Sequence, residues 1–170
     1  MKLVDLCPKE TWVELERDIH ARSGLNPSVY NPEGIRINAN PQFPNRLCPE
    51  IKAIPKGQSF ICATAHMNIA NEARQLRRAV IEECDAGMLK LVVPIFYKDT
   101  YLGAVGGCGQ LLEEGEVDAF LVNKITGLEE AEVERLAEGI PSISEQAAQA
   151  LAAYIKQRIE RIVDDYSARQ

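Results

Sequence analysis

Four cysteines and one histidine are the residues of this chain whose types and order could do chemistry. Cys84 and Cys108 stand at the two ends of a long, mostly apolar stretch, and Cys62 and His66 lie four residues apart in an earlier segment. On a helix that spacing puts a thiol and an imidazole one turn apart, where both can face one metal ion or one small molecule. Cys48 comes before them in the chain. The set predicts a binding site if the fold brings the thiols together.

The element that must position Cys84 and Cys108 is a β-hairpin. Residues 84–110 contain two runs rich in β-branched and aromatic side chains, joined by a polar turn at residues 98–100. Because paired strands run antiparallel, both cysteines fall at the open end of the hairpin, away from the turn. Pro94 cannot donate to a ladder of hydrogen bonds, which predicts a sheet edge or a bulge at that position.

A cluster of glycines closes the second strand. It resembles a phosphate-binding loop only superficially, because acidic residues follow it and no Lys-Ser or Lys-Thr pair completes the motif. The glycines predict instead a close approach of the backbone to a ligand or to a packed helix. We therefore expect Gly106 to form part of a pocket wall.

The segment from Ser59 to Leu76 predicts the helix that carries Cys62 and His66. At about 100° per residue, one narrow stripe that must face the core collects Cys62, His66, Ile69, Ala73 and Leu76. The stripe allows two interpretations. Either the thiol and the imidazole bind a common ligand, or they are a small buried thiol and a core histidine that only pack.

The remaining segments predict further helices and few strands. A short N-terminal helix carries Trp12, Leu15 and Ile19 on one stripe, and turns around prolines separate one or two short strands between residues 25 and 44. Helical patterns follow at residues 45–54, 117–125 and 129–137. An antiparallel hairpin among helices predicts an α+β fold.

The last helix, about residues 145–166, has an apolar stripe longer than one small domain needs. Its three- and four-residue spacing suggests dimerisation or a rigid connection to an effector, and the alternative is a helix that lies entirely on its own sheet. We divide the chain into a sensory domain at residues 1–142 and a signalling or dimerisation helix at residues 143–170. The stripe contains Ala148, Leu151, Ile155, Ile159, Ile162 and Tyr166.

Length and composition exclude several classes of protein. The chain has 170 residues with 46% apolar character and a net charge of -6, and residues 111–170 carry 13 acidic and 6 basic side chains. This acidic segment repels phosphate backbones, so direct nucleic-acid binding is not expected. No apolar run approaches the ~20 residues that span a bilayer, and no signal peptide is evident, which predicts a soluble, cytoplasmic protein. An odd number of cysteines predicts reduced thiols rather than disulfides.

The order of these signals resembles the PocR-type sensory domain, a relative of the PAS and GAF ligand-binding modules of bacterial signalling proteins. The similarity covers roughly residues 10 to 165. Cys108 and His66 stand outside the family pattern. The motifs that carry the resemblance are Cys48-Pro49-Glu50-Ile51, Phe60-Ile61-Cys62, Cys84-Asp85-Ala86-Gly87-Met88, Val93-Pro94-Ile95, and Leu102-Gly103 leading to Gly109-Gln110.

The resemblance implies a PAS/GAF-like antiparallel sheet flanked by helices, with a ligand held between sheet and helices. It also implies a sensory role, with effector domains elsewhere in the chain or in a partner. We expect no enzymatic activity, because no orienting acid or oxyanion hole stands at a recognisable spacing. Small hydrocarbon derivatives such as diols are the ligands proposed for the family. The ligand contacts expected here are Cys48, Ile51, Phe60, Cys62, His66, Cys84, Met88, Gly106 and Cys108.

Three functions remain open at this point. The leading one is a sensor in which a small molecule or a metal centre biases the terminal helix and a homodimer or effector responds. A metal ion or iron–sulfur cluster would use the thiols of Cys48, Cys62, Cys84 and Cys108 as ligands, although no Cys-x-x-Cys pair is present. Cys7 should be dispensable. The alternatives are an enzyme with a cysteine nucleophile and His66 as base, and an adaptor whose cysteines only pack.

Overall fold

The computed structural model describes all of residues 1–170 as helices around one antiparallel sheet. The strands are β1 Asn26–Tyr30, β2 Val80–Glu83, β3 Leu89–Tyr97, β4 Thr100–Cys108, β5 Leu111–Leu112 and β6 Ser142–Ile143. The helices are α1 Leu3–Leu6, α2 Lys9–Ser23, α3 Leu47–Ala53, α4 Pro55–Gly57, α5 Thr64–Leu76, α6 Ala119–Thr126, α7 Glu130–Ala137 and α8 Glu145–Ala168. A π-helical segment, Gln58–Ala63, joins α4 to α5.

The central hairpin forms as predicted. β3 and β4 pair in the middle of a four-stranded antiparallel sheet of order β1-β4-β3-β2, and the turn between them includes Lys98 at a φ of 54°. Pro94 lies beyond Val92, the last residue of β3 that pairs with β2, and the β3–β4 register shifts between Ile95 and Phe96. The predicted edge is therefore present at this proline, which has no partner on the β2 side, and the irregularity of the ladder lies just beyond it. The α+β architecture, an antiparallel sheet flanked by helices with a long C-terminal helix, is confirmed.

The alternation of side chains along the hairpin divides the interior into two layers. The odd-numbered residues Leu89, Leu91, Val93 and Ile95 of β3 face α1, α2 and α8 and share their core. Val92 on the opposite face packs with α5. Beyond α5, the same side carries a third apolar cluster built from α3, the π segment, α6 and α7.

Helix α8 lies on its own sheet. Ser144 caps it as its sequence suggests, because the side chain accepts a hydrogen bond from the Ala147 N–H at 3.0 Å. Leu151, Ile155 and Ile162 are buried in the core that contains β3 and α2. The alternative in which the helix lies on its own sheet is therefore the arrangement in this structure, and these three side chains leave little apolar area for a partner. Dimerisation through α8 stays a prediction.

Two further expectations differ from the structure. Asn26-Pro27, which the sequence suggests as a turn, opens the edge strand β1, where a proline need not donate to a second neighbour. The alternation of Ile35 and Ile37 gives only one isolated bridge, between Tyr30 and Arg36. The chain turns back at Gly34 immediately before that bridge, so the returning segment is too short for a strand.

Candidate functional site

A cavity of about 50 Å³ lies between the sheet and the layer formed by α3 and the π segment. Its walls come from β1, β3 and β4 on one side, from α3, the π segment and α5 on the other, and from the link between β2 and β3. Four thiols from four separate segments meet around it. The lining residues are Asn26, Tyr30, Arg36, Phe43, Cys48, Ile51, Lys52, Ile61, Cys62, Ala65, Cys84, Ala86, Met88, Lys90, Cys108 and Gly109.

The structure brings most of the predicted site residues to this cavity. Six of the nine line it, and three do not: Phe60, His66 and Gly106. The shared feature of the six is their place on segments that converge at the open end of the hairpin. Their role in binding a ligand stays a prediction. The six are Cys48, Ile51, Cys62, Cys84, Met88 and Cys108.

Asn45 ties the two walls of the cavity together. Its side-chain oxygen accepts hydrogen bonds from the N–H groups of Leu47 and Cys48 at 2.8 and 2.7 Å, which caps the first turn of α3. Its amide nitrogen donates to the Gly109 carbonyl at 2.6 Å, just after β4. The sequence analysis missed this residue, which precedes α3 by two positions, with Arg46 between them. An asparagine at the start of a helical pattern is nevertheless a recognisable capping signal.

Lys90 is the second residue that the sequence analysis missed. Asn26, Cys108 and Lys90 lie side by side on β1, β4 and β3, and all three line the cavity. Lys90 is only 6% exposed, and its ammonium nitrogen lies 5.4 Å from the centre of the Tyr30 ring. The sequence feature that could have identified Lys90 as a site residue is its position inside an apolar strand, on the face that carries Cys108.

Electrostatic interactions favour the charged form of Lys90. Burial disfavours the ammonium ion, but the ionised forms of Tyr30 and of the nearby thiols favour it, and the balance raises the pKa of Lys90. Burial likewise opposes ionisation of Tyr30, yet the charges of Lys90 and Arg36 lower the pKa of its phenol. Lys90 and Tyr30 therefore titrate as a coupled pair, in which the ionised form of each favours the ionised form of the other.

A comparison of the sequence with models of protein families shows which family the chain belongs to. Residues 5–166 match the family described as the sensory domain found in PocR. The chain belongs to the PocR sensory-domain family. This membership supports a role in sensing and signalling in general. No curated protein and no solved structure shows significant similarity to the chain.

In this PocR domain, burial disfavours the ionisation of three of the four lining thiols, those of Cys48, Cys62 and Cys84. Burial raises the pKa of Cys48, and a negative charge on Cys108 would raise it further. Burial also raises the pKa values of Cys62 and Cys84. The Cys48 sulfur contacts the Met88 sulfur at 3.7 Å. Such thiols behave as small, polarisable apolar groups rather than as nucleophiles.

The arrangement of the thiols does not form a metal centre. No group of three or more His, Cys, Asp or Glu side chains is placed to hold a metal ion. Metal ligation needs thiolates, and the cations Lys90, Arg36 and Lys52 in the same wall oppose a bound metal cation. The ligand set of Cys48, Cys62, Cys84 and Cys108 therefore stays a prediction that the geometry does not support.

His66 and Cys62 face different places, contrary to the predicted shared stripe. Cys62 belongs to the π segment, whose i→i+5 hydrogen bonds widen the turn and break the regular α-helical phase. His66 on α5 stacks on the Tyr30 ring with 3.6 Å between ring centres, and it lines a second cavity beside Gly34. Burial, reinforced by the charges of Lys90 and Arg36, lowers the pKa of His66 to about 3.

Gly106 and Phe60 also lie outside the cavity wall. A Cβ atom at Gly106 would come within 3.2 Å of the Leu91 carbonyl oxygen and 3.6 Å of the Tyr30 ring. Gly106 therefore lies behind Tyr30, and a larger side chain there would act on the cavity only by displacing that ring. Phe60 is 58% exposed on the outer side of the π segment.

No helix of this chain is both long and apolar enough to cross a bilayer.

Proposed function

We propose that this PocR domain senses a small molecule that binds in the cavity between the sheet and α3, and that α8 relays its occupancy to an effector or to a second copy of the chain. The observation that carries the proposal is the position of the cavity. Its walls come from the sheet and from helices on one side, while α8 packs on the other face of the same sheet.

Strand β3 provides the physical connection between the cavity and α8. Lys90 points into the cavity, whereas the flanking Leu89 and Leu91 lie in the core shared with α8. A ligand that moves β3 must therefore change the packing of the helix. It relays a signal only if it binds more tightly to one of two arrangements of the helix. Residues 143–170 would then be the signalling element of a sensor formed by residues 1–142.

The site favours an organic ligand over the other functions considered. The lining is largely apolar, and the four thiols, of which burial raises the pKa in three, supply no preformed metal site. A cysteine-dependent enzyme would need a base beside the nucleophile, but His66 lies outside the cavity that contains Cys62 and Cys84. A purely structural role for the cysteines leaves the cavity itself unexplained.

A cavity-filling variant tests the proposal. Ala65 lines the cavity and Thr64, its neighbour on α5, is exposed, so Ala65→Leu blocks the cavity and Thr64→Leu is the matched control. Thermal unfolding is measured with short alcohols, diols, amides and carboxylic acids. A ligand present at about 100 times its Kd stabilises the native state by about 2.7 kcal/mol. We expect this in the wild type and in Thr64→Leu and not in Ala65→Leu.

Hydrogen exchange of α8 tests the relay. A compound that stabilises the domain should also change the exchange protection of amides along α8, because β3 lies between the helix and the ligand. Equal stabilisation of Ala65→Leu and the wild type would contradict binding in this cavity. Unchanged exchange throughout α8 in the presence of a bound compound would contradict the relay.

A further inference from the structure

The wall of the cavity has an unbalanced charge. Three of its sixteen residues are basic, Arg36, Lys52 and Lys90, and none is acidic, although the whole chain has a net charge of -6. Buried charges in proteins are normally paired or bound to an ion of opposite charge. The cavity therefore lacks a negative group that its wall would stabilise.

Lys90 shows this lack most clearly. It takes part in none of the ion pairs of the structure, and it donates no hydrogen bond to another side chain. Glu82 lies opposite it on β2, but that side chain is exposed to solvent and leaves the lysine unpaired. The remaining contact of the Lys90 ammonium group is with the face of the Tyr30 ring. A ring face compensates a buried positive charge less well than a carboxylate does.

Arg36 adds a second unsatisfied donor to the same end of the cavity. Its bridge to Tyr30 holds it beside the strand, and its side chain lies 5.9 Å from the centre of that ring. Its Nε atom is buried and has no hydrogen-bond partner. The charge of Arg36 lowers the pKa of Glu16, but burial outweighs it and raises that pKa overall, and the two side chains form no ion pair.

The size and the opposite end of the cavity limit what the anion can be. About 50 Å³ is about a third of the volume of an engineered cavity that holds benzene, so the ligand has few non-hydrogen atoms. The other walls are apolar side chains and thiols, including Ile51, Ile61 and Met88. An inorganic oxyanion needs donors on all sides, whereas a short acid needs them at one end only.

We propose that the ligand of this site is a short-chain carboxylate of about one to three carbons, with its carboxylate between Lys90 and Arg36 and its hydrocarbon part against the thiols. This inference rests on the proposed function and specifies its ligand class. A neutral diol of similar size could accept a hydrogen bond from Lys90 but would leave both positive charges uncompensated. A carboxylate accepts charge-assisted hydrogen bonds from both groups.

The test compares acids with neutral compounds of the same shape. Acetate and propionate are titrated into the wild-type protein in low-chloride buffer by calorimetry, and acetamide and propionamide serve as the isosteric neutral probes. We expect the acids to bind at least about tenfold more tightly than the amides. Lys90→Met should remove that preference, and Arg36→Gln should reduce it. Lys56→Met, which removes an exposed lysine of α4 outside the cavity, should preserve it.

A second readout does not depend on the ligand. Because Lys90 is buried without a counter-ion, Lys90→Met should raise the thermal midpoint of the ligand-free protein. A lysine with a purely structural role would give a lower midpoint.

The outcomes separate this inference from the proposed function. If amides or diols bind as tightly as the acids and Lys90→Met binds them equally, the cavity is a ligand site and the carboxylate inference is wrong. If chloride or sulfate binds with the same dependence on Lys90 and the acids gain nothing from their hydrocarbon part, the assignment to carboxylates is also wrong. Failure of the acids to bind, with an alcohol, a diol or an amide still bound in the wild type and lost in Ala65→Leu, would overturn the inference and leave the proposed function standing. Failure of every compound to bind the wild type would count against both.

Discussion

Acid should destabilise this domain through His66. The side chain is buried against Tyr30, and its Nδ1 atom has no hydrogen-bond partner. Burial first, then the charges of Lys90 and Arg36, lower its pKa from 6.5 to about 3. Below about pH 6.5 the unfolded chain takes up a proton at this residue, whereas the folded chain does not until about pH 3. The stability that His66 contributes is therefore fully present above the unfolded pKa and is lost as the pH falls.

The size of the effect follows from the linkage between protonation and folding. One unit of pKa difference corresponds to about 1.36 kcal/mol. Between about pH 7 and about pH 5 the unfolded state gains most of one proton at His66 relative to the folded state, so the contribution of this residue to the free energy of unfolding should fall by about 2 kcal/mol. The carboxylates whose pKa values are lowered in the fold, Asp18 and Glu132, lose their contribution only at lower pH.

Urea unfolding at both pH values measures this contribution in the wild type, in His66→Asn and in His20→Asn, which removes the other histidine. The asparagine at position 66 cannot be protonated, so that variant should lose about 2 kcal/mol less than the wild type over the interval. His20→Asn separates the contribution of the other histidine from that of His66. The comparison uses the slope with pH, so the cost of the smaller side chain cancels. Equal slopes in the wild type and in His66→Asn would refute the reasoning.

Three further predictions concern the core, the capping residue and the thiols. Ile155→Ala should lower the free energy of unfolding by about 2 to 5 kcal/mol, because this side chain is 0% exposed in the core. Light scattering that instead shows a dimer split by this change at unaltered stability would contradict its place in the core. Asn45→Ala should cost about 1 to 3 kcal/mol in urea unfolding, since it frees the N–H groups of α3 and the Gly109 carbonyl; a change within measurement error would argue against this bridge. Cys84→Ser should weaken the binding of an organic ligand, whereas Cys7→Ser should not, because Cys7 lies in the core on the other face of the sheet. Equal calorimetric affinities in the two variants would contradict a role for the lining thiols.

The sequence determined much of the fold because its strongest signals are local. The β-branched and aromatic runs of β3 and β4, the polar turn between them and the apolar stripe of α2 each act within a few residues, and each appears in the structure as expected. The convergence of Cys48, Cys62, Cys84 and Cys108 was predictable in outline, since the hairpin places two of them at one end and the resemblance supplied the order of the others.

The errors arose where a position depends on distant parts of the chain. The apolar stripe of α8 predicted burial, but only the tertiary structure shows that the chain's own sheet, rather than a partner, covers Ile155. Lys90 and Arg36 come from separate strands and loops, and their shared contact with Tyr30 has no sequence signature. The sequence pattern predicted the wrong cavity for His66, because the regular α-helical period does not hold in the π segment that contains Cys62.

The π-helical segment Gln58–Ala63 contains one residue more than a regular α-helix would need to cover the same length of chain. A deletion of one residue within it would restore the α-helical period and rotate everything on its N-terminal side by about 100° relative to α5. Ile61 and Cys62 would then turn away from the cavity, while α5 could keep its packing on β3. In genetic terms, a single lost codon here would remove this wall of the cavity and leave the sheet and α5 in place. Relatives of this domain with and without that residue should accordingly differ in what they recognise rather than in how they fold.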